Sequence, residues 1–199
     1  LIIDLMDRFN TEKNPKLKRI TVQAFVAYRG GKPVGTITAQ LNHAHMEYFK
    51  DDVGFFGYFE CIEDQAVAHA LFNAAAAWVK ERGIKRIRGP FNFSIADNLC
   101  WKCDCGPDLH AGYDIMPMVY QPHNPPYYND FALSWGMHKL QDHLAYHLDM
   151  EKWLSEKMYR VSEIVNKKAS KYGRISYRHV KLSHWDREVA LVREVIDDA

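Results

Sequence analysis

The feature that most constrains the fold is an aromatic, strand-like run at residues 53–61 that turns directly into an amphipathic helix. The apolar side chains of that helix share one face, at Val67, Leu71, Ala74, Ala75 and Trp78. Gly83 predicts its end. A strand followed at once by such a helix predicts a domain in which the helix packs on a sheet.

The residues before this unit predict further strands of the same sheet. The runs 20–28 and 34–41 are rich in β-forming residues and are joined across Gly30-Gly31. Two adjacent glycines accept the positive φ of a tight turn, so we expect an antiparallel hairpin. Gly54 and Gly57 lie inside the run 53–61 and predict a bulge in that strand or a close approach of another segment to its backbone.

Beyond Gly83 the pattern predicts a short strand at 84–88 and a helix that Pro125-Pro126 opens and Gly136 ends. The strand at 174–182 and the helix after it follow a complete αβ unit, which indicates that another domain begins at residue 174. The remaining predicted elements are a strand at 139–149, a helix at 150–172, a strand at 174–182 and a helix from about 186. The predicted domains are residues 1–149, a linker helix at 150–173, and the start of a second, truncated domain at 174–199.

Composition excludes several classes of protein. The 199 residues are 47% hydrophobic and carry a formal net charge of +1, which predicts no general attraction to nucleic acid or to membranes. The first residues are too polar for a signal peptide, and no apolar run reaches membrane-spanning length. The four cysteines do not resemble a secreted disulfide framework. We therefore predict a cytoplasmic protein.

The order hairpin, bulged strand, turn, helix, strand, helix resembles that of the GCN5-related N-acetyltransferase superfamily. The resemblance implies an α+β (mixed αβ) fold with a mostly antiparallel central sheet, a splayed and bulged central strand, and flanking helices. The loop Gln65–Ala70 fits the family's phosphate-binding pattern at its two ends, with Ala68 in the place of a glycine. The implied cofactor is acetyl-CoA or another acyl-CoA. The implied cofactor-binding residues are Cys61, Ile62, Gln65, Ala66, Val67, Ala68, His69 and Ala70.

Four stretches are similar to the N-terminal half of a bacterial branch of this superfamily, which is built from two tandem halves. The resemblance covers roughly residues 19–149, and residues 174–199 resemble the start of the second half. It implies that a second half of the same chain is a partner, and it leaves a homodimer open. The four stretches are 53-VGFFGYFE-60, 83-GIKRIRGPFNFS-94, Gly112-Tyr113-Asp114 and 124-NPPYYNDF-131, and Asp64 and Trp135-Gly136-Met137 belong to the same resemblance.

The resemblance implies an acyl-CoA-dependent N-acyltransferase in which a deprotonated amine attacks the thioester directly. Glu60 is the expected base for that amine. The family's usual tyrosine position holds Ala132, so Tyr128 is the expected catalytic tyrosine, and a tyrosine or water protonates the leaving thiolate. The acceptor is a small-molecule or peptide amine. The alternative roles are that Glu60 caps the following helix and that Tyr128 packs in the core.

Several departures favour a second function, a degenerate, non-catalytic module that supports another half. Glu60, Glu63 and Asp64 place negative charge where a pyrophosphate would lie, and like charges repel. The Cβ of Ala68 narrows the space in which a phosphate could approach the backbone, which a glycine would leave open. Transfer of aminoacyl groups from transfer RNA is a third reading, which the near-neutral charge disfavours.

A cluster of thiols and an imidazole is the second candidate for chemistry. Cys100, Cys103, Cys105 and His110 have ligand types that suit zinc. Their spacing in one short segment is also compatible with reduced thiols or with a disulfide. We assign no metal site from the sequence.

Overall fold

The computed structural model describes residues 6–94, 97, 100–102, 113, 116–117, 121–144, 156–171, 173 and 178–197. Contacts divide the chain into two compact units, Leu1–Leu144 and Ala145–Ala199. The first unit contains the sheet and the helices that pack on it. The second contains two helices among its described residues.

The sheet has four strands in the order β1-β2-β3-β4. β1 pairs antiparallel with β2, β2 pairs antiparallel with β3, and β3 pairs parallel with β4. The predicted Gly30-Gly31 turn is confirmed, since both glycines have positive φ, 57° and 77°. The strands are β1 (Ile20–Arg29), β2 (Lys32–Asn42), β3 (Val53–Cys61) and β4 (Arg86–Arg88).

Helices surround this sheet and make up much of the second unit, which confirms a mixed α+β fold. A short helix, α1 (His43–Phe49), connects β2 to β3. The first unit also has α2 (Gln65–Glu81) and α3 (Tyr127–Trp135), and the second has α4 (Glu156–Lys171) and α5 (Trp185–Asp197). Gly136 ends α3 with a φ of 105°, as predicted. Within the described ranges, no helix is both long enough and apolar enough to cross a bilayer.

The core of the first unit lies between α2 and one face of β2 and β3. The predicted apolar face of α2 is confirmed, because Val67, Leu71, Ala75 and Trp78 are all buried. Phe72 of the same helix stacks on Phe59 of β3, with ring centroids 4.8 Å apart. Apolar burial on this face accounts for the docking of the helix on the sheet.

The predicted bulge in β3 is present, since the pairing of β2 with β3 shifts register between Thr36 and Thr38. Polar side chains of β2, half-buried Thr36 and buried Thr38, hold the backbone there. Thr36 donates to the carbonyl of Tyr58 at 3.1 Å, and Thr38 donates to the carbonyl of Gly57 at 3.0 Å. Buried carbonyls without donors are costly, so these two threonines stabilise the distorted strand.

β3 and β4 run together for only part of their length. Their parallel pairing covers Val53 to Phe55, after which Phe91 donates its N–H to the carbonyl of Phe56 at 2.7 Å. The side-chain oxygen of Asn92 then accepts the N–H of Tyr58 at 2.7 Å. Among the described residues, no strand continues along this edge of β3 to Cys61.

Two predicted strands are wrong within the described residues. Residues 139–144 form no strand, and Leu140 and Leu144 remain 69% and 54% exposed, so no neighbouring strand buries them. Residues 178–181 are also not a strand, and a short 3-10 helix begins at Leu182. Apolar composition alone does not make a strand, because the backbone bonds need a partner edge. Residues 145–149 and 174–177 lie outside the described residues.

We expect Gly57→Ala to lower the free energy of unfolding by about 1–3 kcal/mol. A Cβ on Gly57 would lie 2.3 Å from the carbonyl oxygen of Phe91, a backbone atom held at the bulge. The matched variant is Gly54→Ala, whose Cβ would meet the side chain of Val79 at 2.7 Å. A helix side chain shifts more easily than backbone, so Gly54→Ala should cost less in urea denaturation. A larger loss at Gly54 would contradict this account.

Candidate functional site at the end of strand β3

Tyr128 of α3 lies at the free end of β3, the carboxyl end at which β4 no longer pairs with it, and its hydroxyl bonds two groups there. Its hydroxyl donates to a carboxylate oxygen of Glu60 at 2.8 Å and accepts the backbone N–H of Cys61 at 3.0 Å. Tyr128 is 2% exposed, whereas Glu60 is exposed. The two expected catalytic residues are therefore in contact, with the carboxylate on the solvent side.

Tyr127 makes the second contact of α3 with this strand end. Its hydroxyl donates to the carbonyl of Cys61 at 3.2 Å. Burial raises the pKa of Tyr127, and the nearby Cys61, Glu63 and Glu60 raise it further. Burial also raises the pKa of Tyr128, and its bond to Glu60 adds to the rise. Both hydroxyls thus remain protonated near neutral pH and act as donors.

The position of α3 follows from contacts with α2. The indole of Trp135 donates to the side-chain oxygen of Asn73 at 2.8 Å. His69 and Ser134 are 3.0 Å apart, from Nε2 to Oγ. The two bonds fix the last turn of α3 on α2, and the edge contact between the rings of Tyr128 and Phe59 places its first turn against β3.

Cys61 is buried beside these groups and is not arranged as a nucleophile. Its thiol donates to the carbonyl of Ile62 at 3.0 Å. Burial raises the pKa of the Cys61 thiol to about 11. The nucleophilic thiolate is therefore scarce at neutral pH.

The amino end of α2, the predicted phosphate-binding turn, already holds an anion of its own. Asp64 caps the helix and accepts the N–H groups of Ala66 at 2.9 Å and Val67 at 3.2 Å. Arg29 of β1 donates to the other oxygen of Asp64 at 2.8 Å. The bond from Arg29 and the bond from Val67 keep the pKa of the Asp64 carboxyl below its ordinary value. An external anion at this turn would have to displace the Asp64 carboxylate.

The structure places the other predicted cofactor residues on different sides of this turn. Val67 and Ala68 lie on the buried face of α2, in the core, and His69 is half-buried against α3. The residues that reach solvent are Ile62, Gln65, Ala66 and Ala70.

Sequence analysis missed Arg29 and Asn92, which complete the site. Arg29 pairs with Asp64 across 35 positions of the chain, and Asn92 bonds Tyr58 across 34. No local periodicity reports such contacts, since they depend on how β1 and the segment after β4 meet β3. The Asn-containing 124-NPPYYNDF-131 motif did point to α3, but not to its two bonds with Cys61.

The thiol cluster falls mostly outside the described residues, because Cys103, Cys105 and His110 are not among them. Within the described part of the chain, no group of three or more His, Cys, Asp or Glu side chains is placed to hold a metal ion.

These observations define an α+β domain whose candidate site is an exposed carboxylate at the free end of a bulged central strand. Neither a protein-family model nor a solved structure matches the chain. The chain is similar to two curated bacterial proteins. It is 32% identical over 186 residues to Protein YghO of Escherichia coli, covering 93% of the chain and 44% of that protein.

The second relative is Bacterial ceramide synthase of Caulobacter vibrioides. The identity is 31% over 203 aligned residues, covering 100% of the chain and 49% of that protein. The chain spans about half the length of the curated relatives it matches.

We expect Tyr128→Phe to lower the free energy of unfolding by about 1–3 kcal/mol, because the buried N–H of Cys61 would lose its acceptor. The matched variant is Tyr127→Phe, which removes the hydroxyl that donates to the carbonyl of Cys61. The hydroxyl of Tyr128 also lies 3.5 Å from that carbonyl oxygen. Tyr127→Phe should therefore cost less. Urea denaturation of both variants measures the difference, and equal losses would contradict the role assigned to Tyr128.

Proposed function

We propose that this chain contributes to an acyl-CoA-dependent N-acyltransferase that joins a fatty acyl group to the amine of a long-chain amino alcohol. The observation that carries the proposal is the exposed Glu60 carboxylate, held by buried Tyr128 at the free end of β3. A fixed carboxylate facing solvent is suited to take a proton from an amine.

The proposal includes a GCN5-related arrangement for the first unit. What supports it is the short parallel contact of β3 with β4, the bulge at Gly57 and Tyr58, and α2 directly after β3. In this arrangement the acyl chain and pantetheine of the donor lie along the edge of β3 that β4 does not cover.

In the proposed reaction the amine nitrogen of the acceptor attacks the thioester carbonyl carbon of the acyl-CoA. The carbon–nitrogen bond forms and the carbon–sulfur bond breaks, so that CoA leaves as a thiolate. Glu60 takes the proton that the amine loses, and water returns a proton to the thiolate. Tyr128 contacts Glu60 and not the open surface, so its part is to orient the base.

The acceptor class comes from the relative whose name states a product. A ceramide is a long-chain amino alcohol whose nitrogen carries a fatty acyl group, so a ceramide synthase by name makes an amide bond. All of the present chain aligns with 49% of that protein, at 31% identity. A carboxylate that takes the proton of an amine attacking an acyl-CoA would give the same amide bond.

A specific observation favours the second candidate, a non-catalytic module. The donors that an acyl-CoA would use are bonded within the chain: the N–H groups of Ala66 and Val67 by Asp64, and that of Cys61 by Tyr128. In this alternative the unit supports another part of the protein, and the network at the end of β3 is structural.

We expect Glu60→Gln to lower kcat/KM by roughly 100- to 10,000-fold, because the variant keeps an acceptor for Tyr128 and loses the base. The assay uses the entire protein that carries this sequence, a fatty acyl-CoA and a long-chain amino alcohol, with the amide product measured by mass spectrometry. Glu63→Gln, an equal change in charge at a neighbouring exposed carboxylate, is the control. Absence of amide from folded protein, or full activity of Glu60→Gln, would favour the non-catalytic alternative.

We expect Asp64→Asn to tighten CoA binding about fivefold, because it removes a like charge from the proposed phosphate position. Asparagine is as good a helix cap as aspartate, so α2 keeps its start, and Arg29 becomes available to the phosphates. Calorimetric titration with CoA measures the change. Glu81→Gln, at the other end of α2, is the matched control, and an unchanged or weaker affinity for Asp64→Asn would contradict phosphate binding at this turn.

A further inference from the structure

The helix α4 (Glu156–Lys171) has an apolar face that nothing in the described part of the chain covers. None of its described side chains is buried. Met158, Val161, Ile164 and Val165 are between 45% and 54% exposed and lie on one side of the helix at helical spacing. An uncovered apolar face on a helix of this length indicates a binding surface.

A basic strip runs along one side of this apolar face. At 3.6 residues per turn, its five cations fall within about a third of the helix circumference, beside the apolar side chains and partly between them. Glu156 and Glu163 border the strip on the side away from the apolar face, where the Glu156 carboxylate is 3.7 Å from the Arg160 guanidinium. The strip, defined here as the basic strip of α4, consists of Lys157, Arg160, Lys167, Lys168 and Lys171.

The other exposed helix of the second unit lacks this combination. α5 also has an apolar face, with Trp185 59% and Ile196 68% exposed. Its described charges are mixed, however, with acidic Asp186 and Glu194 among its cations. The charge pattern therefore distinguishes α4 from a helix that is merely uncovered.

We propose that α4 docks this protein on an anionic lipid surface. The apolar face would enter the boundary between headgroups and acyl chains, and the basic strip would contact the lipid phosphates. A nucleic acid would match the basic strip but not the apolar face beside it, and a hydrophobic protein surface would match the face but not the strip. The inference goes beyond the proposed acyl transfer and does not depend on it, although a membrane is where long-chain amino alcohols partition.

The test is co-sedimentation of the entire protein with phosphatidylcholine vesicles that contain or lack phosphatidylglycerol. We expect binding to the anionic vesicles, little binding to neutral ones, and loss of binding at high salt. Reversal of three cations of the strip, Lys157→Glu, Arg160→Glu and Lys168→Glu, should weaken the partition by more than about 100-fold. Loss of each basic residue near such a surface costs about fivefold, and the added carboxylates are repelled by the anionic lipid. Ile164→Ser should also weaken it, with the fold intact by circular dichroism.

A matched control reverses three exposed lysines of the first unit, Lys18, Lys32 and Lys80. This triple variant changes the net charge equally and should lose far less affinity. Absence of binding to anionic vesicles, or an equal loss in both triple variants, would overturn the proposal. So would a large fall in melting temperature for Ile164→Ser with unchanged vesicle binding, which would place the face inside the protein. Binding to duplex DNA that Ile164→Ser leaves intact would assign the strip to nucleic acid instead.

Discussion

The edge of β3 that β4 leaves unpaired beyond Phe55 is the constraint on which the rest of the first unit depends. A central strand that loses its neighbour halfway leaves backbone donors that must find other partners. Asn92 takes the N–H of Tyr58, and Tyr128 takes that of Cys61. The second of these bonds brings α3 against the sheet, and the same hydroxyl then orients Glu60.

The candidate site is consequently a set of groups that already satisfy one another. Asp64 and Tyr128 bond the N–H donors that the proposed acyl-CoA would use, so its binding here would exchange partners and would not fill open positions. The enzymatic and the non-catalytic proposals differ on whether this exchange occurs and on whether Glu60 acts as a base. In the first, Asp64 yields its place and Arg29 turns to the phosphates. In the second, the bonds are the reason that the strand end is stable.

Charge in this protein acts locally. The formal net charge of +1 is the sum of separate regions, among them an acidic end of β3 and a basic side of α4. Whole-chain charge predicted no membrane or nucleic-acid partner, and it could not register a strip of cations on a single helix. The ion pair of Arg29 with Asp64 is another local effect of charge, because the guanidinium changes the electrostatic potential at the start of α2.

The sequence by itself determined the elements whose signals are local. Periodicity placed the apolar face of α2, adjacent glycines determined the hairpin turn, and Gly57 marked the bulge. The strands expected at 139–149 and 174–182 failed over their described residues because a strand depends on a partner edge that the sequence does not display. Only the tertiary structure decided that Tyr128 meets Glu60 and that Asp64 fills the turn before α2. Those contacts join residues far apart in the chain, and the packing of α3 and β1 against β3 brings them within hydrogen-bonding distance.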